Sequence, residues 1–186
     1  KKQVLLYKNN TDYHGHSYGC HDNYLMRRDI PFDYLKESIM PFFVTRQIFA
    51  GAGKVGIETE SGISSAGCFQ LAQRSDFFHV EISVDTMHNR PIVNTRDEPH
   101  ADSAKYRRLH GIVGDANMSE YTTGLKLGTT ALVIGLIEQG RVPDYFAIND
   151  PIQTIKAISR DQTYEWQFKL KHGVTISAIA LQRKYL

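Results

Sequence analysis

Three short strand-like runs, Phe77 to Val84, Pro91 to Arg96 and Arg107 to Gly114, stand directly before one long helical pattern, Ser119 to Gln139. In the first run Phe78, Val80, Ile82 and Val84 recur at every second position, which is how a half-buried strand is written. In the helical run Leu125, Ala131, Leu132, Leu136 and Ile137 make the apolar face, and Gly140 ends it. Strands that are neighbours in sequence usually become neighbours in space, so antiparallel pairing of these runs is expected. Strands mixed with segregated helices predict an α+β domain.

The flanking sequence adds elements of both kinds. Residues 3–7 predict a strand, followed by a polar loop from Asn9 to His16 and a further segment from Ser17 to Met26. Pro31 to Gly51 predicts a helix, because Phe32, Leu35, Ile39, Phe42 and Phe43 recur at three- and four-residue spacing, with Asp29 as its cap. Gly51-Ala52-Gly53-Lys54-Val55-Gly56 reads as a flexible turn leading to a polar, serine-rich mobile loop as far as Gly67. Phe69 to Gln73 predicts another strand, Pro151 to Arg160 a short helix, and Thr175 to Leu186 a third helix or a closing strand. A chain of 186 residues accommodates this as one domain.

Composition excludes several classes. With 41% hydrophobic and 23% charged residues the chain is neither disordered nor of low complexity. Its 22 Lys and Arg against 20 Asp and Glu leave a formal charge of +2, which gives no reason to expect a nucleic-acid partner. The longest apolar stretch, Ala131 to Ile137, is too short to span a bilayer, so no membrane association is expected. Cys20 and Cys68 form no Cys-x-x-Cys pair, and a reducing cytoplasm is the expected compartment. The chain has no initiator Met and enters a strand-like run at once, as a piece of a longer protein would.

Two polar clusters are candidates for chemistry. Asn94-Thr95-Arg96-Asp97-Glu98-Pro99-His100-Ala101-Asp102 is flanked by Arg90 and by Arg107-Arg108-Leu109-His110. An arginine at a strand end can hold a phosphate or carboxylate through parallel charge-assisted bonds, and a nearby His or acid can ligate a metal or move a proton. Alternation places Asn94 with Arg96 and Arg108 with His110. The competing reading is a surface hairpin of solvated ion pairs, each worth about 0–1 kcal/mol. The second cluster is Ser17-Tyr18-Gly19-Cys20-His21-Asp22-Asn23-Tyr24, whose histidine is a potential ligand for a divalent ion or a loop residue satisfied by backbone carbonyls. The glycine-rich segment 51–56 matches neither a phosphate loop nor a dinucleotide fingerprint.

Several longer motifs then resemble a known family. Tyr7-Lys8-Asn9-Asn10-Thr11-Asp12, Ser17 to Leu25, Pro41-Phe42-Phe43-Val44-Thr45-Arg46-Gln47, Asn94 to Asp102, Tyr106 to His110 and Gly114-Asp115-Ala116-Asn117 are similar to the signature of the Pup ligase and Pup deamidase/depupylase family. Within it, Phe69 to Phe78 resembles the deamidase/depupylase branch, while Cys20 before His21 is closer to the ligase branch. The resemblance implies a glutamine synthetase-like fold, a curved antiparallel sheet with flanking helices, with residues 1–186 as a central fragment of one catalytic domain. It implies ATP, or ADP with phosphate, together with Mg as cofactors. Pup and pupylated proteins would be partners, with an indirect link to a bacterial proteasome. His21 and His110 would be magnesium ligands, Arg96 would grip the phosphoryl group, and Arg74 would reach the nucleotide phosphates or the terminal carboxylate of the tag. The family's catalytic aspartate and metal-binding glutamates are expected upstream of Tyr7. Gly56-Ile57-Glu58-Thr59-Glu60 imitates the family's opening strand, but its loop-like context makes it a coincidence.

Overall fold

Local chemistry accounts for the helices in the computed structural model, which describes residues 3–59, 62–86 and 89–185. Helix α3 (Glu120–Glu138) starts where the Ser119 hydroxyl accepts the Thr122 amide, and it stops before Gly140, whose φ of 67° suits glycine. Helix α4 (Pro151–Arg160) is capped by Asp150, which accepts the Gln153 amide at 2.9 Å, and has Pro151 at its first position. Helix α1 (Phe32–Thr45) runs almost directly into the single turn α2 (Gln47–Ala50). The expected Asp29 cap is not formed: Asp29 pairs with Arg27, and α1 begins after Pro31 without a side-chain cap. Helix α5 (Ala178–Lys184) follows Ser177, whose hydroxyl accepts the Ala180 amide at 3.1 Å. None of these helices is long and apolar enough to cross a membrane.

The main sheet has the order β1-β6-β5-β4, formed by β1 (Asp22–Arg27), β4 (Val80–Ser83), β5 (Pro91–Asn94) and β6 (Tyr106–Gly111). β1 with β6 and β6 with β5 are antiparallel as expected; β4 pairs with β5 in parallel. Register divides the side chains between two faces. Tyr24, Met26, Leu109 and Val93 share the side that packs on α1, where a Cβ on Gly111 would meet the Phe43 ring at 3.2 Å. Leu35, Ile39, Phe42 and Phe43 fill this core together with Leu109, Ile134 and Ile158. Each such side chain contributes about 1.5–3 kcal/mol by leaving water. Asn23, Leu25, Arg108, His110 and Asn94 take the opposite face, and Leu25 there is 52% exposed.

Two hairpins complete the α+β architecture: β2 (Lys54–Thr59) with β3 (Gly62–Gln70), and β7 (Gln167–Lys169) with β8 (Thr175–Ser177). The first corrects two expectations. The glycine-rich segment and the serine-rich segment after it are paired strands, not a turn and a mobile loop. Lys54 and Glu58 are buried in β2. Lys54 lies 2.7 Å from Asp76, whose other oxygen is 2.6 Å from Arg160, while Gln70 donates to Asp76 at 2.8 Å. Charged residues read as loop because their partners are far along the chain. Glu60, Ser61 and Leu186, which belonged to predicted segments, lie outside the described residues. The strand expected at residues 3–7 is absent: Val4 to Tyr7 are exposed and pair with no described strand. The closing segment contains both alternatives foreseen for it, β8 and then α5.

Candidate active site

His110 lies where three strands meet, opposite Asn23 on β1 and opposite Asn94 on β5. Its Nε2 is 2.8 Å from Nδ1 of His21, with ring centroids 4.9 Å apart. His21 is the last residue before β1, and a Cβ on Gly19 would come within 2.9 Å of its Nε2, so only glycine lets that loop fold so closely over the ring. Burial, the neighbouring His21 and the guanidinium groups of Arg108 and Arg96 push His110 down to about 4. Burial, Arg74 and Arg90 likewise lower His21. At neutral pH the pair is therefore uncharged, one ring donating to the other, and Nδ1 of His110 is buried with no protein partner.

The surrounding charges are mostly guanidinium groups. Arg96 follows β5, which ends at Asn94, so it sits on a loop and not on the strand as expected; its amide is held by the Asn94 side chain at 2.8 Å. Arg108 donates from Nε and Nη2 to the Arg96 carbonyl at 3.1 and 2.8 Å, which fixes that loop against β6. The Arg96 guanidinium itself is exposed, with no hydrogen-bond or ion-pair partner among the described residues. Asp97, next in sequence, pairs with Arg28 at 2.8 Å and accepts the Arg108 amide at 3.1 Å. Although burial works to raise it, those partners hold its carboxyl below the usual range.

Arg74 precedes a short 3-10 turn (Ser75–Phe77) and is fully buried. Its Nη1 donates to the carbonyls of Ile112, at 3.0 Å, and Gly114, and its Nε donates to the Ser17 hydroxyl at 3.2 Å. Burial and nearby Arg90 bring it down to about 10, still protonated at neutral pH. His21 and His110 are thus in direct contact, Arg74 and Arg96 exert their charge on that pair, and Arg74 is sealed from solvent in this conformation.

The arrangement favours an anion. Magnesium prefers oxygen ligands, whereas the donors here are two imidazoles bonded to each other among arginines. No group of three or more His, Cys, Asp or Glu able to hold a metal occurs among the described residues. These residues do not by themselves fit magnesium.

Residues that sequence reasoning did not single out hold the site in place. The Asp115 carboxylate accepts the amides of Ala52, Gln73 and Arg74 at 2.8, 2.9 and 3.1 Å, tying two loops to the end of the sheet. Arg46, also buried, bonds Asp22 at 2.9 Å, Thr130 at 2.9 Å and the Val113 carbonyl at 2.6 Å. Asn10 exchanges two bonds with the backbone of Ala116. Arg90 and Ser17 contact each other beside His21. All five lie in or beside the family-like motifs, but nothing in their spacing announces the contacts.

Against this geometry, the family model described as Pup-ligase protein matches residues 1–186. The chain belongs to this family. It is 54% identical over 183 residues to a depupylase of Acidothermus cellulolyticus, covering 98% of this chain and 36% of that protein. It is 48% identical over 186 residues to a Pup–protein ligase of Corynebacterium jeikeium, covering 98% and 40%. A solved structure of the Pup ligase PafA in complex with ADP superposes with a TM-score of 0.81 at 44% identity, covering 99% of this chain and 39% of that one. The chain thus spans between a third and two-fifths of the length of these relatives, and the α+β fold expected of it agrees with theirs.

Proposed function

We propose that residues 1–186 are the central part of a single glutamine synthetase-like catalytic domain, and that the whole protein is a Pup deamidase/depupylase. It would hydrolyse the C-terminal glutamine amide of Pup and the isopeptide bonds between Pup and lysine side chains. The observation that carries this reading is the neutral His21–His110 pair set among arginines, an environment suited to phosphate and to a developing oxyanion. The branch assignment rests on the Phe69 to Phe78 segment and on 54% identity to a depupylase against 48% to a ligase.

In this reading the free guanidinium of Arg96 grips a phosphate or the transition-state oxygen, Arg74 adds positive charge from beneath, and the imidazoles orient the group between them. Bound ATP, or ADP with phosphate, would supply the polyanion that completes the site, and Mg would neutralise it. A metal at His21 and His110 would need carboxylates from parts of the longer protein outside this chain, as would the aspartate that attacks or activates water. Pup and pupylated proteins would be the partners, linked indirectly to a bacterial proteasome in the cytoplasm.

The ADP-bound ligase structure favours a second reading, a Pup–protein ligase that phosphorylates the tag's glutamate before lysine attacks. A Pup-binding module without activity is the third. Incubating the full-length protein with glutamine-ended Pup and with a Pup conjugate separates them. Release of ammonia and of free substrate supports the depupylase. Conjugate formation with ATP turnover refutes it in favour of the ligase, and Pup binding without turnover leaves the binding module.

A further inference from the structure

Arg107 stands on the face of the sheet opposite the histidine pair. It lies across from Met26, on the side that packs on α1, whereas His110 lies across from Asn23. There Arg107 borders a pocket of about 250 Å³ whose walls include Phe32, Leu35, Val93 and Leu109, and which Asp97 also borders. Leu35, Val93 and Leu109 are buried, and the Phe32 ring is partly open to solvent. The pocket falls just below the range of about 300–1,000 Å³ that takes drug-sized ligands. At about 30 Å³ per water it has the volume of roughly eight waters, which suits one side chain or one small acid.

The guanidinium at this pocket has fewer acceptors than donors. Nη2 of Arg107 donates to the Arg28 carbonyl at 2.8 Å, and Cζ lies 6.0 Å from the centre of the Phe32 ring, which holds the group against the apolar wall. Its Nε is buried with no protein partner, and Arg107 makes no ion pair among the described residues. The acid beside it is already engaged: Asp97 meets Arg28 through Oδ2 at 2.8 Å and accepts the Arg108 amide through Oδ1 at 3.1 Å. The charges of Arg28 and Arg107 thus both act on one carboxylate, which leaves one of them uncompensated. Helix α1 starts at Phe32 without a side-chain cap, and its positive end adds to that charge, offset in part by exposed Asp33.

We propose that Arg107 and the pocket beside it bind a carboxylate carried on a short apolar stem. The carboxylate accepts from the free Nε–H group, and the stem lies against Phe32, Leu35 and Leu109. Inorganic phosphate fits this place poorly, because it has no apolar part and its second negative charge meets Asp97. The inference goes beyond the proposed function. It concerns a separate site on the face turned away from the histidines, and it stands whichever reaction the longer protein carries out.

The test uses the full-length protein with isotope-labelled arginine, titrated separately with acetate, butyrate, phenylacetate and inorganic phosphate, and with N-acetylglutamate amide as a blocked acidic side chain. The Nε–H resonance that disappears in Arg107→Gln should shift as butyrate is added. Butyrate should bind about tenfold more tightly than acetate, the scale of two further buried methylenes, and phosphate should leave the resonance in place. Saturation transfer to the protons of phenylacetate should report an affinity about tenfold or more weaker in Arg107→Gln. Phe32→Ala, which removes a partly exposed ring, should weaken phenylacetate about 3- to 10-fold and keeps the test open where Arg107→Gln does not fold. Binding of the free acids or of the blocked glutamate supports the site, and the tighter of the two identifies its source. A stationary Nε–H resonance, equal binding of acetate and butyrate, tighter binding of phosphate, or full phenylacetate affinity in the variants would overturn it.

Discussion

Replacing Asp115 by Asn changes almost no volume but alters the bonding at the point where two loops meet the sheet. One carboxylate oxygen accepts the Ala52 and Gln73 amides at 2.8 and 2.9 Å, and the other accepts the Arg74 amide at 3.1 Å. An amide side chain must turn its NH2 group toward one of these sets, so at least one buried N–H loses its acceptor. The remaining bonds lose their charge assistance. An orphaned buried donor costs about 1–3 kcal/mol, and weakening the others brings the total to about 2–4 kcal/mol. With an unfolding slope of about 2 kcal/mol per molar urea, the midpoint should fall by about 1–2 M. Urea unfolding of the full-length wild type and Asp115→Asn protein reads this directly. A loss below about 0.5 kcal/mol, the range of an ordinary surface change, would refute the claim that Asp115 organises the site's scaffold.

Asp76 predicts a pH dependence. Burial would raise its carboxyl, but Lys54, the Glu58 amide, Arg160 and Gln70 hold it below the ordinary value of 3.8. A carboxyl depressed in the folded state stabilises above its unfolded value, and that contribution disappears as pH falls through the lower folded value. Asp76→Asn should therefore be less stable than wild type at pH 7, with the gap closing below pH 3.8; a constant gap in acid unfolding curves would count against the network. Gly51→Ala would drive a Cβ onto the Leu71 carbonyl, so thermal unfolding should show a loss of several kcal/mol, on the order of 3 or more, and wild-type stability would disprove that close approach. Arg96→Ala should leave thermal stability within about 0.5 kcal/mol, because its guanidinium is exposed and has no partner among the described residues, yet slow deamidation of glutamine-ended Pup on the order of 100-fold. Unchanged turnover would remove Arg96 from the site.

The helices were legible because their signals are local. Ser119 with Gly140 bounds α3, Asp150 with Pro151 starts α4, and the Phe32 to Phe43 spacing marks the face that α1 buries. Strand β2 was not legible: Gly53, Lys54, Gly56 and Glu58 have the composition of a turn, and the burial of Lys54 is made tolerable by Glu58 within the strand and by Asp76, 22 residues beyond it. The parallel pairing of β4 with β5 was not legible either, because alternation of side chains carries no strand direction. At the candidate site, His21 and His110 were reached through resemblance, being 89 residues apart with nothing local to join them. Ser17 and Arg90 stand in or beside clusters read from the sequence, but 73 residues separate them and nothing local announces their contact. Arg74 shows the limit from the other side, since its residue type was informative but its full burial was not.

The central claim is that nucleotide phosphate binds on the sheet face carrying His21 and His110, and a crystal structure of the full-length protein with ADP tests it most directly. The account predicts phosphate oxygens within hydrogen-bond distance of Arg96 and of at least one histidine of the pair. It is contradicted if the phosphates lie elsewhere, for instance in the cleft of about 510 Å³ bordered by Lys8, Asn10, Gln73 and Ser119.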